Sequence, residues 1–198
     1  HNMSLLLALE LLLLLLALPH LSCASNSTET PLDRQAEALL QWKSSLNNWS
    51  NDRLDSWTKG SNPYDWDGVA CSNDVPPRGR DQGDDALVVS NISLVGFSLV
   101  RMLDRLHFPD LPHLVYLDLS GSILRGSIPS SIGALSQLTH LNLCRNILRG
   151  SIPLSTGALS QLTHLDLSNN ELNGSIPTSL GNCTNYHLFL PCLVRLQD

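Results

Sequence analysis

An α/β repeat solenoid is the fold class that the sequence predicts: a right-handed coil with a parallel β-sheet on its concave face and a helical cap at its N-terminal end. Three observations predict it. Segments recur every 24 residues, leucines within each segment stand two residues apart, and a helix-like segment precedes the repeats. Units that cannot bury their apolar side alone form a core by stacking, and the end of the stack needs a cap.

Residues 1–24 have the pattern of a secretory signal peptide. An apolar run at 11–18, extended upstream by 5–9, is followed by small residues that favour cleavage after Ala24. Glu10 within the run and the lack of a basic residue before it depart from that pattern. The alternative is a membrane anchor, but the run is shorter than the roughly 20 residues that span a bilayer. We therefore expect a secreted, extracellular chain with no membrane span.

Secretion would make the sequence's N-glycosylation signals available for modification. Each signal is an asparagine followed two residues later by serine or threonine, a pattern that also arises by chance. The candidates are Asn26, Asn48, Asn91, Asn173 and Asn182.

Residues 25–85 are predicted to form the N-terminal cap. A helix should follow Thr30, which can cap it, with Pro31 in its first turn and Asp33 at its positive end. An approximate apolar face would consist of Ala36, Leu39, Leu40 and Leu46. The Asp- and Gly-rich segment 74–85 is predicted to be a surface loop, and its composition favours an unstructured connector over a binding loop.

Residues 86–182 contain the repeats, at about 86–110, 111–134, 135–158 and 159–182. The third and fourth are nearly identical, LSQLTHLNL against LSQLTHLDL. In the first, degenerate repeat, Ile92 and Leu94 fall in register with the strand leucines of the second. Leucines two apart on a strand point to the same face, so stacked strands bury them together.

The residues between the strand leucines point outward and form the predicted binding surface on the concave face. One column contains Tyr116, His140 and His164, and a second contains Asp118, Asn142 and Asp166. The alternative is that these residues are soluble filler in the strands. The two histidines should stack as neighbours, but they lack a third metal ligand, so no metal site is predicted.

The segment LSQLTHLDLSNNELNGSIP at 159–177 resembles the plant-specific type of leucine-rich repeat and fills every position of its motif. The segment before the repeats resembles the N-terminal cap of that family. Together, the cap and about four repeats resemble the N-terminal part of the ectodomain of a leucine-rich-repeat receptor-like kinase, without the kinase. Phe97 and Ser122 stand where the family has asparagine, which should weaken the asparagine ladder in the first two coils.

The resemblance also implies a disulfide in the cap, from the family motif Cys-x-Trp-x-Gly-Val-x-Cys. Tyr64 occupies the first cysteine position, so Cys71 lacks its expected partner. Such a disulfide is typically worth about 2–5 kcal/mol in a small secreted domain. We therefore expect a looser cap and a free thiol.

Residues 183–198 are predicted to be a degenerate or truncated repeat. A further 24-residue step places Phe189 and Pro191 at the strand positions, and proline is unsuitable inside a paired strand. Cys183 and Cys192 are a candidate disulfide that would close a terminal loop. The alternative is a truncated solenoid.

The sequence contains no hydrolase, nucleotide-binding, metalloprotease or kinase motif, so we expect no enzyme activity and no cofactor. The formal net charge of -6, without a basic cluster, argues against a nucleic-acid partner. The resemblance implies extracellular recognition of a peptide, a protein or another receptor ectodomain. Two alternatives remain: a secreted inhibitor of cell-wall polygalacturonases, and a receptor fragment without function.

Overall fold

The structure is a computed structural model and describes residues 30–46, 52–73, 87–99, 103–182 and 187–189. For 181–182 and 187–189 the description is limited to the backbone. Several sequence expectations lie outside the described residues. They are the signal peptide, the sequons at Asn26 and Asn48, the loop 74–85, and the pair Cys183 and Cys192.

The cap begins with helix α1, Pro31–Ser45. Its predicted start is confirmed: the Asp33 N–H donates to the Thr30 hydroxyl, and the Asp33 carboxylate accepts from the Thr30 N–H at 2.9 Å. The buried face of the helix is not quite the predicted one, because it includes Gln35 and Trp42 while Ala36 and Leu40 are only partly buried. The Gln35 side-chain oxygen accepts the N–H of Val89 at 2.7 Å, which ties the helix to the first coil.

Three tryptophans hold the cap together. Trp57 stacks on Trp66 with ring centroids 5.3 Å apart, and Trp42 lies 6.4 Å from Trp57. The expected free thiol is confirmed, since Cys71 is unpaired and half-buried while Tyr64 is 52% exposed. Apolar and aromatic packing therefore supplies the cohesion of a cap that has no disulfide at this position.

Six strands form the main sheet, in the order β1-β2-β3-β5-β7-β9. The β1–β2 pair is antiparallel, and every later pair is parallel. These strands are β1 (Val69–Ser72), β2 (Val88–Ser93), β3 (Tyr116–Asp118), β5 (His140–Asn142), β7 (His164–Asp166) and β9 (His187–Phe189).

The second, third and fourth coils each return through a short second strand and a 3-10 helix. The second strands pair in the order β4-β6-β8. They are β4 (Arg125–Gly126), β6 (Ile147–Gly150) and β8 (Glu171–Leu172). The 3-10 helices Ser130–Ala134, Leu154–Ala158 and Thr178–Asn182 stack on one another on the opposite side from the main sheet. The observed architecture is thus the predicted repeat solenoid with a helical cap.

The core lies between the main sheet and the returns. The strand leucines of the second, third and fourth coils are buried, and Ile92 aligns with Leu117 across β2 and β3, as predicted. Leu135, Leu138, Leu159 and Leu162 extend the same core toward the returns. Apolar stripes from successive coils therefore form one continuous cluster.

Asn146 satisfies the backbone between two coils. Its side-chain oxygen accepts the N–H groups of Ser122 and Leu124, at 3.1 and 2.9 Å. Its amide nitrogen donates to the carbonyls of Leu119, Leu143 and Cys144. Ser122, the predicted weak point, makes a smaller network, because its hydroxyl donates to the carbonyls of Leu94 and Ser120, at 2.7 and 3.3 Å.

The last strand corrects the predicted register of the fifth coil. A 24-residue step placed Phe189 opposite Leu165, but the backbone pairing places Leu188 there and His187 opposite His164. The step from β7 to β9 is therefore one residue shorter than the steps from β3 to β5 and from β5 to β7. The two-residue spacing of Leu188 and Leu190 in the sequence could have indicated this register.

Candidate functional site

The concave face presents one ring from each central coil at the same register. Parallel pairing aligns Tyr116 with His140, and His140 with His164. The column starts at Asn91 on β2 and reaches His187 on β9. Sequence reasoning missed His187 because it used the 24-residue step.

The three central rings form a face-to-face stack. The centroids of Tyr116 and His140 are 4.2 Å apart with planes 10° from parallel, and those of His140 and His164 are 4.1 Å apart with planes 2° from parallel. The predicted stacking of the two histidines is confirmed. Stacked aromatic pairs contribute about 0.5–1.5 kcal/mol beyond their burial. The stack therefore forms a continuous aromatic strip across three strands of the concave face.

The electrostatic environment of the stack favours neutral imidazole at His140. Burial lowers the pKa of His140 below its ordinary 6.5, and the adjacent His164 lowers it further, while Asp118 and Asp166 act in the opposite direction. The Nε2 atom of His140 is buried and has no hydrogen-bond partner among the described residues. Since protonation would place a charge on a partly desolvated ring, the stack is most stable with this ring uncharged.

The second predicted column has a structural task that the sequence did not reveal. In each of its residues a side-chain oxygen accepts the backbone N–H of the residue two positions later. Asp118 accepts from Ser120, Asn142 from Cys144, and Asp166 from Ser168. Such Asx turns end the strands. Asp118 is only 7% exposed and also accepts from the Asn142 amide at 3.0 Å, so it offers little surface to a ligand.

The histidine column is poorly arranged for a metal ion. Adjacent strands are about 4.8 Å apart, so the outer members of three consecutive positions are separated by roughly twice that distance. Parallel planes also keep the nitrogen lone pairs from converging on one point. Among the described residues, no group of three or more His, Cys, Asp or Glu side chains could hold a metal ion.

The described sequons lie on different faces. Asn91 is an exposed residue of β2, inside the concave column, whereas Asn173 is exposed directly after β8 on the return side. Asn182 ends the last 3-10 helix. No helix within the described ranges has the length and apolar character needed to cross a membrane.

Family models match the two parts of the architecture separately. The leucine-rich-repeat N-terminal domain model matches residues 32–72, and the leucine-rich-repeat model matches 113–135, 137–159 and 161–183. A chain in the solved structure of the BIR3–SERK2 complex from Arabidopsis thaliana is 30% identical to this chain, with a TM-score of 0.62. The match covers 76% of this chain and 77% of that chain.

This chain belongs to the plant leucine-rich-repeat family. The BIR2 ectodomain from Arabidopsis thaliana is 27% identical with a TM-score of 0.65, over 78% of this chain and 77% of its own. The ectodomain of the receptor kinase GASSHO1/SCHENGEN3, also from Arabidopsis thaliana, is 29% identical with a TM-score of 0.65, over 78% of this chain and 17% of its own. That structure is a complex with CASPARIAN STRIP INTEGRITY FACTOR 2.

Curated relatives of this leucine-rich-repeat chain are receptor-like kinases. The receptor-like serine/threonine-protein kinase RGI4 from Arabidopsis thaliana is 39% identical over 107 residues, which are 54% of this chain. RGI3 from the same plant is 37% identical over the same length. The matched part spans only 9% of either relative. The similarity therefore covers an ectodomain-like portion.

Proposed function

We propose that this leucine-rich-repeat chain is a non-catalytic, extracellular recognition module that binds a peptide or protein ligand along the column Tyr116–His140–His164. The single observation that carries the proposal is the ring stack on the concave face. The stack combines aromatic surface with polar edges, which are common properties of interface anchor residues. The side chains of the neighbouring second column form the Asx turns that end the strands.

The plant receptor ectodomains described above support the recognition role. The GASSHO1/SCHENGEN3 ectodomain is in complex with another molecule, and BIR3 is in complex with SERK2. We infer that the present chain likewise binds a peptide or a second ectodomain outside the cell. The threonines beside the stack favour this use of the face. Thr139 and Thr163 donate to backbone carbonyls of the preceding coil at 3.1 and 3.0 Å, so they fix the strands that carry the rings.

Selection from a random peptide library displayed on phage tests the proposal. The full chain, expressed through a plant secretory pathway, would be the bait, and selected peptides would then be measured against variants. We expect His164→Ala to weaken binding by about fivefold or more, since truncating an interface anchor costs more than ~1 kcal/mol. Leu154→Ser is the matched control, because Leu154 is 79% exposed on the return side.

Two results would contradict the proposal. One is selection of peptides that bind both variants and the unaltered chain equally. The other is a chain that folds and is secreted but selects no peptide and captures no receptor ectodomain from a plant-ectodomain panel. Retention of an unfolded chain in the cell would instead support a receptor fragment without function. Assay against a fungal polygalacturonase separates the inhibitor alternative, which requires dose-dependent loss of the enzyme's activity.

A further inference from the structure

The sequon Asn91-Ile-Ser93 lies inside the candidate binding face. Asn91 is on β2, paired with Ala70 of β1 on one side and with Tyr116 of β3 on the other. Both Asn91 and Ser93 are exposed, whereas Ile92 between them is fully buried. Strand alternation explains this arrangement, because residues two apart share a face.

We propose that Asn91 carries an N-linked glycan that covers the first strand of the concave face and leaves the column open for ligand only from Tyr116 onward. This inference rests on the secretion that the proposed function requires. A glycan on Asn91 extends outward from the sheet about 4.8 Å from the Tyr116 strand, so a bulky, hydrated sugar chain lies beside the first ring of the stack.

The chain contains a natural comparison for this position. Asn173 is also an exposed sequon asparagine, but it follows β8, and its backbone N–H donates to the carbonyl of Gly150 in the second sheet. A glycan there lies on the return side of the coil. The two sites therefore distinguish glycosylation in general from coverage of the concave face.

Glycopeptide mapping of the full chain secreted by plant cells, combined with hydroxyl-radical footprinting, tests the proposal. We expect occupancy at Asn91, and an increase of about twofold or more in Tyr116 oxidation when Asn91→Gln removes the bulky glycan. Asn173→Gln should leave Tyr116 oxidation unchanged. Oxidation of Leu154, on the return side, is the internal reference. Ser93→Ala removes the same sequon without altering Asn91 and should reproduce the Asn91→Gln result.

Each outcome decides between separate claims. Occupied Asn173 with unoccupied Asn91 would overturn the glycan proposal while leaving secretion intact. Occupied Asn91 with unchanged Tyr116 oxidation in both Asn91→Gln and Ser93→Ala would overturn coverage of the column. A chain that carries no glycan and does not leave the cell would overturn the secretion on which the proposed function depends.

Discussion

Replacement of Asn146 by alanine removes the most connected side chain of the asparagine ladder. Asn146 is 7% exposed, and its oxygen is the side-chain acceptor for two backbone N–H groups, those of Ser122 and Leu124. Each buried donor that loses its partner costs about 1–3 kcal/mol, and water entering the vacated space recovers part of this. We therefore expect Asn146→Ala to lower the free energy of unfolding by about 2–4 kcal/mol.

Asn170→Ala is the matched control, because it is the same substitution one coil later. The Asn170 oxygen accepts only the N–H of Leu148, at 3.1 Å, and the residue is half-buried rather than buried. Its loss should cost about half as much, about 1–2 kcal/mol. Urea unfolding followed by circular dichroism measures both variants, with an unchanged m-value as the check that the unfolding transition is comparable. Equal losses, or a loss below about 1 kcal/mol for Asn146→Ala, would refute this reasoning.

Three further perturbations test the turn, the ring stack and the cap. Arg145→Gly should raise the free energy of unfolding by about 0.5 kcal/mol, because Arg145 is exposed at φ 55°, a conformation that glycine adopts without steric cost. Arg149 is also exposed but lies in β6, so Arg149→Gly should lower the free energy of unfolding. The pKa of His140 in the folded chain lies below 6.5, so the contribution of its neutral form to stability is present above that pH and is lost as pH falls. Thermal melts should therefore show the unaltered chain losing stability relative to His140→Gln as pH falls through 6.5. Parallel curves of melting temperature against pH would contradict this. Tyr64→Cys should oxidise to a disulfide with Cys71 and stabilise the cap by about 2.5 kcal/mol, the closure entropy of a short loop. Mass spectrometry with and without reductant would detect the bond, and a persistent free thiol at Cys71 would show that the two positions cannot meet.

The start of α1 and the inward leucines could be predicted because their causes are local. Thr30 and Asp33 are three residues apart, so the capping box follows from the sequence alone. Likewise, a two-residue spacing determines which leucines point into the core. The buried Gln35 could not be predicted in this way, since its partner is the N–H of Val89, a residue brought close only by the docking of the cap on the first coil.

The candidate binding face was predictable as a set of columns but not in its roles. The 24-residue period is sufficient to place Tyr116, His140 and His164 in one column. Periodicity could not show that Asp118 is buried and forms an Asx turn, because both depend on the backbone conformation at the end of the strand. Nor could it place His187, since the step from β7 to β9 is one residue shorter than the repeat period and this changes the register.

The sequence by itself determined that this protein is a stack of short coils with an N-terminal cap, because repeated leucine spacing leaves no other way to bury the same face in every unit. Only the tertiary structure decided which outward side chains stay exposed on the concave face. Residues of neighbouring coils cover or contact the outward side chains, so the exposure of each side chain depends on the assembled solenoid and not on any single repeat. The pairing of β2 with β3 is the clearest example, since it places Asn91 beside the stacked rings.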